Sequence, residues 1–159
     1  MPDGPRYDDD FYAWTQYQAK VLRELRTDDN RFDREHLAEE VEDLGKSERD
    51  AVRSQVRRIL EHFLKLHCSR AQAPRYGWMG SIVEARAELG DKLSATLRRD
   101  LRARLPALYD RARERAALAL REYGETEAVE CLPGSCPFTL AQVLLDGWYP
   151  GPVEAPNDP

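Results

Sequence analysis

The stretch LAEEVEDLGKSERDAVRSQVRRILEHFLKLHC, residues 37–68, decides the fold. With each residue turned 100° from the last, Val41, Leu44, Val52, Ile59, Phe63 and Leu66 fall within about 60° of one direction, the pattern of a helix with one apolar side. Asp33, in the preceding polar run RTDDNRFD, stands where an N-cap is needed. The spacing therefore predicts a helix from Arg34 to about His67, roughly 50 Å long at 1.5 Å per residue, with Gly45 as its weak point.

Working outward, YDDDFYAWTQYQAKVLREL predicts an earlier helix whose start is favoured by Asp8, Asp9 and Asp10. Phe11, Trp14, Gln18, Leu22 and Leu25 share its inner side. After the long helix, Pro74 and Gly77 punctuate SRAQAPRYG. A third helix is expected from about Trp78 or Ser81 to Arg99, with Ile82, Ala85, Leu89, Leu93 and Thr96 facing inward. A fourth is expected from Leu101 through Ala119, with Pro106 marking a kink or a fresh first turn. YGETEAVECLPGSCP reads as a loop, and TLAQVLLDGWYPG as a short helix opened by a Thr139–Gln142 capping box. The expectation is an all-α fold: one helical-bundle domain, residues 1–150, of four main helices plus a short C-terminal one, and a disordered tail over 151–159.

The totals agree with that reading. The chain has 159 residues, 42% apolar and 33% charged, enough for one core without staples. The N-terminus lacks the parts of a signal peptide and no run is long and apolar enough to span a bilayer, so a cytoplasmic location is expected and no membrane partner. The formal charge of −5 speaks against nucleic acid as a ligand. Arginines crowd the fourth helix at Arg98, Arg99, Arg102, Arg104, Arg111, Arg113 and Arg115. Asp100, Asp110 and Glu114 interrupt them, as on a solvated face laced with ion pairs. Cys68, Cys131 and Cys136 are read as free thiols; a zinc site with His67 or a disulfide within CLPGSC is the alternative.

YDDDFYAWTQYQAKVLREL, HLAEEVEDLGKSERDAVRSQVRRILEHFLKL, WMGSIVEARAEL and CPFTLAQVLLDGWYP together resemble the bacterial family called domain of unknown function 29. Their order covers nearly the whole chain. The resemblance implies an all-helical cytoplasmic fold and no assigned activity. The family pattern has Trp where this chain has His67, which argues against a family-wide role for that residue.

Two sets of polar residues remain as candidates. Glu48, Gln55 and His62 recur seven apart inside the apolar stripe, about 10.5 Å between successive Cα atoms, so each needs a partner from elsewhere in the fold. Glu48 and His62 are the candidates for an acid, base or ligand. The second set is carboxylic. Glu39, Glu40 and Asp43 in LAEEVED resemble one element of the all-α nucleoside triphosphate pyrophosphohydrolases, and Glu88 and Asp91 in ELGD would be the second, together holding Mg²⁺ against a triphosphate. That Mg-dependent hydrolase is the alternative function, and only it calls for a cofactor. The leading expectation is a protein–protein interaction module, its partner another protein or a second copy of the chain.

Overall fold

The computed structural model describes residues 3–153. Its helices are α1 (Phe11–Glu24), α2 (Arg34–Cys68), α3 (Arg75–Leu89), α4 (Ala95–Glu122), α5 (Thr126–Cys131) and α6 (Leu140–Leu144), with a 3₁₀ turn at Gly90–Lys92. No strand occurs among the described residues, and no helix there is long and apolar enough to cross a membrane. The described residues fall into two compact units, residues 3–52 with Asp91–Asp100, and Arg53–Gly90 with residues 101–153. Both α2 and α4 contribute residues to each.

The first unit is built on the antiparallel approach of α1 and the N-terminal part of α2. Asp10 caps α1 by accepting from the Ala13 N–H at 2.9 Å, and its other oxygen accepts from the Thr96 N–H of α4 at 3.3 Å. Burial pushes the Asp10 carboxyl up, but these bonds outweigh it and hold its pKa below the ordinary value. Asp33 caps α2, accepting from the His36 N–H. The two helices meet where Gln16 Nε2 donates to the Glu42 carbonyl at 3.1 Å and Arg23 pairs with the Glu42 carboxylate at 3.2 Å. Ala19, Ala38 and Thr15 are sealed in this contact.

Gly45 does not break α2, which is continuous. It is buried against Thr15, and a Cβ there would run into Thr15 Oγ1 and come within 2.9 Å of Gln16 Nε2. The glycine is the place where the two backbones can come close.

In the second unit the apolar side of α2 is the core: Val56, Ile59, Leu60, Phe63, Leu64 and Leu66 are buried. Ile82, Ala85 and Leu89 of α3 and Leu101, Ala112, Ala116 and Leu120 of α4 are buried with them. Phe138 and Trp148 pack edge-on to Phe63, ring centres 5.2 Å away in each case. Tyr109 donates to the Pro133 carbonyl at 2.5 Å, and Arg113 Nε donates to the same oxygen at 3.0 Å, fixing the turn after α5.

The helices depart from the sequence reading in several places. α3 ends at Leu89, ten residues before the expected Arg99, because Gly90 adopts φ +33° and Ser94 starts α4 by accepting from the Leu97 N–H at 3.2 Å. Pro106 lies inside an unbroken α4; the carbonyl it leaves without a donor belongs to Arg102, on the exposed side. α5 occupies part of the segment read as loop. Of the tail expected to be disordered, Gly151 and Val153 are bonded to His67 (His67 Nδ1 to the Gly151 carbonyl, 2.8 Å; Val153 N–H to the His67 carbonyl, 2.9 Å), and 154–159 lie outside the described residues.

Candidate functional site

The acidic end of α2 carries Glu39, Glu40 and Asp43 on its exposed surface. Asp43 lies 3.6 Å from Lys46, whose ammonium is closer, at 3.0 Å, to Glu42. Glu42, not one of the candidates, is the carboxylate tied into the fold: Lys46 and Arg23 hold its pKa low.

The expected partner element ELGD is split. Glu88 sits exposed on the last turn of α3, whereas Asp91 is past the helix end in the 3₁₀ turn. The placement of both on one helix is therefore corrected, and the cause is the Gly90 terminus. Asp91 instead lines a cleft of about 200 Å³ in the first unit with Glu48, Asp8, Asp9, Tyr12 and Lys92. Glu48 is thus a cleft residue, while Glu39, Glu40 and Asp43 are not among the residues that line the cleft. Among the described residues no group of three or more His, Cys, Asp or Glu is placed to hold a metal ion.

The other two members of the heptad ladder lie in the second unit. Gln55 Oε1 and His62 Nδ1 are both buried without a hydrogen-bond partner among the described residues. Burial, with help from Lys65 and Arg58 and opposed by Glu61, lowers the His62 pKa to about 4, so its ring is neutral near pH 7 and has one idle nitrogen. The charged pairing passes beside it: Lys65 Nζ donates to Glu61 at 2.8 Å and Arg115 approaches the same carboxylate at 3.3 Å.

A residue that sequence reasoning passed over is Arg86. Only 7% exposed, it donates from Nε to the Val143 carbonyl at 3.0 Å and from Nη2 to the carbonyls of Gln142 at 3.1 Å and Trp148 at 2.9 Å. Its guanidinium also lies over the Phe63 and Tyr149 rings, 5.6 Å from each centre. It binds α6 and the segment after it to α3. The available signal was an arginine beside Ala85 on the inward stripe of a helix, a position that demands polar partners.

The apolar stripe of α2 is not buried throughout. Leu37 and Leu44, seven residues apart and so on one side, are 43% and 58% exposed. Leu44 is expected in the core; the buried side of this part of α2 runs instead through Ala38, Gly45 and Val52, with Gly45 against Thr15 of α1.

No curated protein matches the chain. A crystal structure of an α-helical protein of unknown function from Rhodospirillum rubrum is similar over 92% of this chain and 93% of its own, with a TM-score of 0.77 and 26% identity. The model of one family, the domain of unknown function DUF29, matches residues 6–149, and the chain belongs to that family.

Proposed function

We propose that this protein is a cytoplasmic interaction module that receives an amphipathic helix of another protein along the exposed N-terminal part of α2. The observation that carries the reading is the pair Leu37 and Leu44, left open on the same stripe that Ile59, Phe63 and Leu66 bury further along. A scattered exposed leucine means little, but two in register at the end of a core seam make a docking edge. Glu40 follows around the helix on one flank and Asp43 beyond it, so the partner helix carries basic residues beside its apolar ones. Affinity capture of the full chain from its native host, with Leu44→Glu in parallel, tests it. A partner held by the parent chain and lost from the variant is expected; a partner held equally by both overturns the assignment of the surface.

A further inference from the structure

Cys68, Cys131 and the helix ends that carry them form a second feature, in the other unit. Cys68 is the last residue of α2 and Cys131 the last residue of α5. Both cysteines line one cavity of about 430 Å³, and Cys131 is close enough to act on the Cys68 thiol. A neighbouring pair ties the same segments together: Ser69 Oγ donates to the Glu125 carboxylate, 2.6 Å and 2.9 Å from its two oxygens, with the exposed Arg70 3.6 Å from Glu127 beside it. Cys136 does not line the cavity, and its thiol donates to the Phe138 carbonyl at 3.3 Å.

We propose that Cys68 and Cys131 are a thiol–disulfide exchange site, oxidised by a small disulfide of the glutathione class that enters this cavity. Cys131, half-buried, is the sulfur that the incoming disulfide meets; Cys68, buried, is the one that completes the reaction. In the first step Cys131 Sγ attacks one sulfur of the small disulfide; that S–S bond breaks, a mixed disulfide forms, and the Cys131 proton leaves with the released thiol. In the second step Cys68 Sγ attacks Cys131 Sγ, expelling the second small thiol, which takes the Cys68 proton. The two protein thiols lose two electrons and the small disulfide gains them, becoming two thiols. Burial and Cys131 push the Cys68 thiol well above its ordinary range, so Cys68 reacts second, losing its proton to the departing thiol as it attacks, and the more exposed Cys131 is the entry point. The Ser69–Glu125 pair holds the start of α5 against the end of α2, and both cysteines stay on the same cavity.

The test uses the full chain, equilibrated in mixtures of reduced and oxidised glutathione, acid-quenched, alkylated and mapped by mass spectrometry. The expected product carries one alkyl group, on Cys136, and a linked peptide pair containing Cys68 and Cys131; Cys136→Ser gives the same link. Three alkylated thiols at the most oxidising ratio, a glutathione adduct that never resolves, or a link that includes Cys136 would each overturn the proposal. Should Cys136→Ser fail to fold, the peptide map of the parent chain decides alone.

Discussion

Replacing Gly45 by Ala should destabilise the protein, against the ordinary preference of helices. In an open helix interior the exchange is worth about 1 kcal/mol in favour of alanine. Here the new methyl group meets Thr15 Oγ1, with Gln16 Nε2 at 2.9 Å and Thr15 Cβ at 3.0 Å. Thr15 cannot simply turn away: it is fully buried and its hydroxyl donates to the Tyr12 carbonyl at 2.7 Å. Gln16 is similarly engaged, donating to the Glu42 carbonyl. Overpacking of this kind costs about 1–3 kcal/mol, and a lost hydrogen bond adds about 1 kcal/mol. Offset by the helix preference, the net loss is about 1–3 kcal/mol, which for a chain of this size lowers Tm by about 3–10 °C. The assay is thermal unfolding of the parent, Gly45→Ala, Thr15→Ala and the double variant. Since Thr15→Ala removes the oxygen that is struck, the Gly45→Ala penalty should shrink by about 1 kcal/mol in that background. A Tm raised by Gly45→Ala, or energies additive to within about 0.5 kcal/mol, would refute the close approach of α1 and α2.

His62 should stay neutral in the folded protein down to about pH 4, from an unperturbed value of 6.5. The unfolded chain binds this proton first, so the group leaves stability unchanged above pH 6.5 and removes it as pH falls from there through about 4. The loss is at most about 3 kcal/mol, and about 1–2 kcal/mol once residual solvent access is allowed for. NMR titration of its imidazole gives the check: an inflection near 6.5 would mean the ring is not buried. Arg86→Lys should loosen the C-terminal segment, because one ammonium cannot reach the three carbonyls that the guanidinium spans. A loss of about 2–4 kcal/mol is expected, with hydrogen-exchange protection falling first around residues 140–149; unchanged protection there would show that Arg86 does not hold the segment. Closing the Cys68–Cys131 disulfide should raise Tm, since a loop of this length is worth about 4 kcal/mol in the chain-entropy account; an oxidised form that melts at or below the reduced one would mean a strained bond.

The parts of this fold legible in the sequence are those whose cause is local. Asp10, Asp33 and the Thr139–Gln142 box cap their helices as read, because a cap needs only a side chain and the next turn. The α3–α4 boundary was missed although Gly90 and Ser94 both signal it: the apolar spacing of Leu89, Leu93 and Leu97 carries on across the break and looks like one helix. Gly45 read as a weak point because the sequence of one helix does not show how near another passes. Leu44 read as core for the same reason, since periodicity gives the apolar side of a helix and not whether anything covers it. The site residues divide in the same way. Asp91 shares a cleft with Glu48 because the chain turns at Gly90, and Cys68 shares a cavity with Cys131 through α5, in a segment that reads as loop.

The most direct test of the interaction surface is a photo-crosslinking amino acid placed at Leu44 in the full chain and expressed in the native host, with the same probe at Ala107, exposed on α4, as the comparison. An exposed leucine tolerates such a change to within about 0.5 kcal/mol, so the fold is kept. The account predicts one reproducible protein adduct from position 44 and none from position 107, with the crosslink mapping to an amphipathic helix flanked by basic residues. Adducts absent from position 44, or the same adducts from both positions, would contradict it.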